Sequence, residues 1–460
     1  MIARFLFGTA ATLALAASAS AQDFTITNAT VATGDGSEPM ENATVVVRGG
    51  KVVAAGTGVT APAGGEVIDG TGKWVTPGIF SAVTDLGLSD VDGVSESNDT
   101  SAGNSPFSAA LDVSTALNPN SQDLLVARAD GITRASVYSS PSASIFGGQG
   151  AVIDLGSDPE MVTRTRAFQI VDLGERGARI SGGSRTSAHA LLRNALREAQ
   201  SHGTRSEIGP ATGRASDVRF GDDTPLDPRL AGRDSERPAD ALLTRFDAAA
   251  LVPVVRGEQP LYVVVERAAD IREVLKLTRE FPQLDLVLLG ASEGWLVADA
   301  IAAAGVPVIA DPLDDLPQGF DQLAATQSNV GRMRAAGVTV AIGRLEGGTG
   351  EQPRNARQYA GNLVALTRIP GATGMSWGEA LATITSIPAR IAGFEGRLGT
   401  LSNGATADLV IWDGDPLEVG SAAEAVFIDG VRQPTDNHQT RLRERYRDLD
   451  EADLPKAYDW

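Results

Sequence analysis

Gln259-Pro-Leu-Tyr-Val-Val-Val265, Leu284-Asp-Leu-Val-Leu-Leu289, Val306-Pro-Val-Ile-Ala310 and Val338-Thr-Val-Ala-Ile342 are four short apolar runs rich in Val, Ile and Leu. Between them lie stretches with helical patterning, Ala268 to Phe281, Glu293 to Ala304 and Phe320 to Ala336. Strands that alternate with helices form parallel βα units. The length of this middle region suits a closed eight-fold barrel better than a short open sheet. Further on, Ser376 followed by Glu379 is a capping-box signal that opens a helix over Glu379 to Ile391 and closes the barrel.

Both ends of the chain carry strand signals of another kind. Ala43-Thr-Val-Val-Val-Arg48, the Gly49-Gly50 turn and Lys51-Val-Val-Ala54 read as a hairpin. Near the C-terminus, Ala407-Asp-Leu-Val-Ile-Trp412 leads into Ala425-Val-Phe-Ile-Asp-Gly-Val431. The expected fold is therefore α/β: a TIM-like (β/α)8 barrel with a small β-sandwich domain built from both ends of the chain. The boundaries read as residues 22–78 and 396–435 for the composite β domain and 79–395 for the barrel. Ser89 to Gln122 and a flexible insertion at 203–240, rich in Gly, Pro, Arg and Asp, interrupt the pattern. A charged tail over 436–460 contains a helical stretch with Arg441, Arg443, Glu444, Arg445 and Arg447, which reads as a solvated helix or, alternatively, as a partner-docking element.

A chain of 460 residues exceeds the size at which single cores usually stop growing, which agrees with two domains. Asp and Glu outnumber Lys and Arg by 58 to 39, a formal charge of −19 that repels nucleic acid and anionic lipid heads. Cysteine is absent, so thiolate metal sites and disulfides are excluded. At the N-terminus, Arg4, the apolar Phe5 to Ala17 and the small-residue Ala19-Ser20-Ala21 form a signal-peptide pattern over residues 1–21. The expectation is a periplasmic or secreted protein with no membrane insertion after cleavage.

Between the first β segment and the barrel stands Val67-Ile-Asp-Gly-Thr-Gly-Lys-Trp-Val-Thr-Pro-Gly-Ile-Phe-Ser-Ala-Val-Thr-Asp85. Towards the other end come Thr385-Ser-Ile-Pro-Ala389 and Gly399-Thr-Leu-Ser-Asn-Gly-Ala-Thr-Ala-Asp-Leu-Val-Ile-Trp412. These blocks resemble the barrel entry and the T-x-N-P-A and G-x-L-x-x-G-x-x-A-D-L-V motifs of the amidohydrolase superfamily. The overall texture is similar to its imidazolonepropionase-like exported members. The resemblance implies a hydrolase of C–N bonds in non-peptide or dipeptide amides. It also implies one or two metals held by an H-x-H pair on strand one, often a carboxylated lysine, a histidine each from strands five and six, and an aspartate after strand eight.

The residues at those positions are of other types. Val83 and Asp85 stand where the H-x-H pair is expected, Val264 and Glu266 on the fifth strand, Gly290 at the end of the next, and Arg344, Leu345 and Glu346 where the aspartate is expected. The chain holds three histidines, His189, His202 and His438, none at a strand end, and its lysines are Lys51, Lys73, Lys276 and Lys456. The sequence thus predicts no metal ligands and no cofactor. Asp85 and Glu266 are the candidate catalytic residues, as an acid and base pair or as oxygen ligands of a hard cation. Arg267, Asp311, Arg344 and Glu346 are the candidate ligand-binding residues. Alternatively, these charges pair with one another and fill the space of a lost metal. Three functions stay open: a non-catalytic homologue that binds a small amide-type ligand or stabilises a metal-containing relative, an active hydrolase with an atypical oxygen-ligated or metal-free site, and a scaffold whose tail and long loops contact a partner enzyme; the expected assemblies are a homo-oligomer or a hetero-oligomer with a metal-containing relative.

Overall fold

The computed structural model describes residues 21–91, 93–207, 241–343 and 352–447. The signal-peptide stretch before Ala21, residues 208–240 of the insertion, the tail beyond Arg447, and Arg344 and Glu346 lie outside the described residues.

Two eight-stranded sheets organise the chain. The first is composite. Its N-terminal strands are β1 (Phe24–Val31), β2 (Met40–Arg48), β3 (Lys51–Gly56), β4 (Glu66–Asp69) and β5 (Trp74–Pro77), and β14 (Leu409–Trp412), β15 (Ala423–Ile428) and β16 (Val431–Arg432) come from the far end. The order is β16-β15-β14-β5-β1-β2-β3, with β4 also on β1. The β2–β3 hairpin turns at Gly49 and Gly50, both left-handed (φ 54° and 72°), the conformation that lets a two-residue turn follow the strand twist. The sheet curls until Ala405 accepts a hydrogen bond from Val52 N (2.9 Å), enclosing Phe24, Ile26, Val45, Val47, Leu409 and Phe427 in a core of its own.

The second sheet is the barrel: β6 (Ile79–Thr84), β7 (Ile132–Val137), β8 (Phe146–Asp154), β9 (Val162–Asp172), β10 (Leu261–Val265), β11 (Leu286–Gly290), β12 (Val308–Ala310) and β13 (Val340–Ile342), in sequence order. The expected eight strands beside a two-ended β domain are present. Strand β8 runs antiparallel to both neighbours and so departs from a strict βα repeat. Its Phe146-Gly-Gly-Gln-Gly150 run is a strand because the glycines admit close neighbours: a Cβ on Gly150 would lie 2.1 Å from the Phe168 ring. Phe80, Phe168, Ile170, Tyr262, Leu289 and Ile309 fill the interior, and the Phe168 and Tyr262 rings stack at 4.2 Å.

The helices are α1 (Gln122–Ala129), α2 (Glu175–Ile180), α3 (Arg185–Glu207), α4 (Arg245–Val255), α5 (Ala268–Leu275), α6 (Leu277–Glu280), α7 (Ala298–Ala304), α8 (Asn329–Ala335), α9 (Ala356–Ala365), α10 (Trp377–Ala382), α11 (Ser386–Ile391) and α12 (His438–Arg445). The expected long helix from Phe320 shortens to α8, and the insertion begins later than expected because α3 continues to Glu207. The capping box on Ser376 and Glu379 is formed, but the helix it opens breaks at Thr383. That break serves the barrel. The Thr383 carbonyl accepts from Ile342 N (3.1 Å) and the Ile384 carbonyl from Phe80 N (2.9 Å), so this segment bridges the seam between β13 and β6. Among the described residues no helix is long and apolar enough to cross a membrane.

One buried cluster joins the two sheets. Arg134 of β7 donates to both carboxylate oxygens of Asp408 (2.7 and 3.2 Å) and pairs with Asp429 at 2.8 Å. The Asp408 carbonyl also receives Gly78 N at the barrel entry (2.9 Å). Burial lowers the proton affinity of Arg134, and the Asp408 carboxylate more than restores it, with a net upward shift. A bidentate guanidinium–carboxylate pair of this kind is costly to break one-sidedly, because the remaining charge is left buried. Asp408→Ala is therefore expected to lower the urea-unfolding free energy by about 4 kcal/mol, and Arg134→Ala added to it to cost much less than its separate effect. Additive losses would show that the two groups do not act as a pair.

Candidate active site

In a barrel of this type the C-terminal ends of the parallel strands form the functional face. Strand β6 ends in Val83, Thr84 and then Asp85. The Val83 side chain belongs to the barrel's apolar cluster with Leu289, Ile309 and Ala341 and is almost completely buried. Asp85 is partly buried beside Tyr138, which follows β7 and is tied to β6 by a hydrogen bond from its N–H to the Thr84 carbonyl (3.0 Å). Burial first, and the Asp85 charge second, push the Tyr138 phenol up to about 12. Arg176 of α2 and the Asp172 carboxylate act on the same phenol in opposite directions. Asp172, the last residue of β9, accepts from the N–H groups of Gly174 and Gly177 (2.9 and 3.1 Å), and burial raises its proton affinity.

Glu266 follows β10 directly. Its Oε2 accepts from the Ser292 N–H (2.9 Å) and from the Ser292 hydroxyl (2.7 Å), while the same hydroxyl lies 3.5 Å from Asp314 Oδ2. Burial dominates and lifts the Glu266 carboxyl up to about 7, against the lowering effect of the two Ser292 hydrogen bonds. The carboxyl lies across the end of the neighbouring strand: a Cβ on Gly290 (φ 87°) would stand 2.0 Å from Glu266 Oε1. One side chain thus occupies the space above two adjacent strand ends. A carboxyl that titrates near neutrality presents either a donor or an acceptor to a polar ligand.

The other expected site residues are distributed differently. The Arg267 guanidinium pairs with Asp270 of α5 (2.7 Å). Asp270 in turn holds Arg185 (2.9 Å), which reaches Asp321 (3.5 Å), so Arg267 belongs to an ion-pair chain along the loops. Asp311 follows β12 and is partly buried. Arg344 and Glu346, outside the described residues, are not placed. Sequence reasoning missed Ser292, Asp314, Tyr138, Asp172 and Arg176. The one available signal was position, since Asp172 and Ser292 stand at or just beyond strand ends. The histidines lie where expected, His189 and His202 on α3 and His438 at the start of α12. Among the described residues, no three His, Asp or Glu side chains converge as a metal ion would require. The described strand ends present Val83, Asp85, Glu266 and Gly290, none of them an imidazole.

Comparison with known proteins agrees with this architecture. A model described as the amidohydrolase family matches residues 296–432. The amidohydrolase TasK of Hapsidospora irregularis is 25% identical over 391 residues, which cover 80% of this chain and 37% of that protein. An imidazolonepropionase of Maricaulis maris (strain MCS10) is 36% identical over 99 residues, 21% of this chain and 23% of its own length. The chain thus matches well under half the length of each of these relatives. Among solved structures, an amidohydrolase from Thermotoga maritima MSB8 superposes with a TM-score of 0.73 at 24% identity, covering 89% of this chain and 99% of that one. Molinate hydrolase superposes with a TM-score of 0.52 at 16% identity, covering 96% and 99%. These two structural likenesses concern the fold. The chain is thus similar to the amidohydrolase family over residues 296–432 and to an amidohydrolase over most of its length, and it shares the two-sheet fold of the Thermotoga maritima structure.

Proposed function

We propose that this chain is an exported amidohydrolase-superfamily protein, related to the imidazolonepropionase-like members, whose barrel mouth binds a small amide-type ligand without a resident metal. The observation that carries the reading is the Glu266 carboxyl lying over Gly290. Metal-dependent relatives need a ligand from each of those two strands. Here one strand end has no side chain and the other sends its carboxyl across the gap, while Val83 lines the floor with apolar surface. An amide offers both a carbonyl acceptor and an N–H donor, and a carboxyl near its titration point can meet either.

The reading is tested on purified mature protein. Zinc, iron and manganese are expected only in substoichiometric amounts, and added zinc leaves the Tm unchanged. Stoichiometric metal together with turnover of acyl-amino acids or dipeptides would sink it.

A second reading, an active C–N hydrolase working through carboxylates, is favoured by one contact. The Ser292 hydroxyl stands 2.7 Å from a carboxyl with a pKa near 7, the range suited to general base catalysis. Under this reading Asp85→Asn and Glu266→Gln abolish a turnover that the wild type shows. Unchanged turnover in both variants removes it.

Two stability measurements examine the geometry itself. Burial raises Glu266 from 4.5 to about 7, so between these values the folded protein holds a proton that the unfolded chain has released. This contribution is fully present below about pH 4.5 and is lost as the pH rises through about 7. Wild type measured against Glu266→Gln is expected to lose about 3 kcal/mol of unfolding free energy over that window. A difference that does not change with pH would place Glu266 in water. Gly290→Ala is expected to cost about 3 kcal/mol through overlap with the carboxyl and a left-handed backbone. Combined with Glu266→Ala, the glycine substitution should cost only the backbone share, about 1 kcal/mol. An unaltered cost in the double variant would mean that the carboxyl is elsewhere.

A further inference from the structure

Outside the barrel mouth, α5, the 3-10 turn Gly294–Val297, α7 and α8 surround a cavity of 310 Å³ to which none of the mouth residues contributes. Its walls include Arg272, Trp295, Leu296, Asp299, Ala300 and Arg332. The volume lies at the lower end of the range for small-molecule sites, about 300 to 1,000 Å³.

Trp295 is fixed as one wall. Its Nε1 donates to the Ala324 carbonyl (2.8 Å) and its N–H to Asn329 Oδ1 (3.0 Å). The Arg332 guanidinium stacks on its ring at 4.4 Å. Stacking immobilises a guanidinium by its face and leaves its N–H edge to donate.

The cavity's own lining is net cationic, with two guanidiniums against the one carboxylate of Asp299. Arg134, Arg185, Arg193 and Arg267 are among the arginines of this chain that reach carboxylates. Among the described residues neither Arg272 nor Arg332 does, although both line one cavity with Asp299. Leu296, 45% exposed, adds apolar surface that water covers poorly. Two unpaired guanidiniums beside an indole and a leucine are complementary to an anion that carries an apolar body.

We propose that this cavity binds a small carboxylate with an apolar body. Its carboxylate meets the N–H edges of Arg272 and Arg332, and its apolar part covers Trp295 and Leu296. The site is independent of the barrel mouth and of the reading given to it.

Phenylacetate serves as the probe and 2-phenylethanol as its neutral counterpart, each titrated into the full chain by calorimetry and by tryptophan fluorescence. Phenylacetate is expected to bind saturably, with a fluorescence change that Trp295→Phe removes. 2-Phenylethanol is expected not to bind. Arg332→Gln and Arg272→Gln should each weaken phenylacetate by about tenfold, the loss of one charge-assisted contact. Arg272 is exposed, so its variant folds and keeps the test decisive. Absence of phenylacetate binding, equal binding of the neutral compound, or unchanged affinity in both arginine variants would overturn the proposal.

Discussion

The buried contact between Arg134 and Asp408 is the constraint on which the architecture depends. Arg134 points out of the barrel from β7, and Asp408 closes the C-terminal motif that introduces β14. Around this pair gather the turn after β15 through Asp429, the barrel entry through Gly78, and Asp154 of β8 at 3.6 Å. Two segments separated by most of the chain are thereby held at one point, with the first barrel strand and the composite sheet in fixed relation. The motif's aspartate thus acts structurally, because it neutralises a guanidinium that could not otherwise be buried.

At the C-terminal ends of the barrel strands the problem is reversed. A poorly hydrated barrel mouth must be filled by groups that tolerate burial. The chain uses two solutions. Val83 extends the apolar interior upward, and Glu266 covers Gly290 while Ser292 supplies both an N–H and a hydroxyl to its Oε2. Those two hydrogen bonds are too few to offset burial, so the carboxyl keeps its proton to near neutrality. The neighbouring carboxylates Asp314 and Asp321 push in the same direction. The result is a buried carboxyl whose charge state changes near neutrality.

Much of this was legible in the sequence, and the limits have physical causes. The four parallel strands β10 to β13 announce themselves because strands buried on both faces are continuous runs of Val, Ile and Leu. The β2–β3 hairpin is legible because its twin glycines leave few other turn geometries. Strands β7, β8 and β9 are not legible in this way. Arg134, Gln149 and Gln169 interrupt their apolar runs, and the glycines of β8 imitate a loop until Phe168 is seen filling the space they leave. At the site, Asp85 and Glu266 follow from counting to the strand ends. That the Glu266 carboxyl crosses to the next strand does not, since it depends on the space left by the missing Cβ of Gly290 and on the Ser292 hydrogen bonds, contacts between separate segments. Arg267 is adjacent to Glu266 in sequence, but Asp270 holds it one helical turn away.

The mouth holds a carboxyl over a bare strand end, an arrangement that leaves no space there for a metal ion. A crystal structure of the protein soaked in zinc at neutral pH, with anomalous data collected at the zinc edge, addresses it most directly. No anomalous density is expected at the ends of β6, β10 and β11, with the Glu266 carboxyl over Gly290 and bonded to Ser292. A fully occupied zinc ion held there by Glu266 and Asp85 would contradict it.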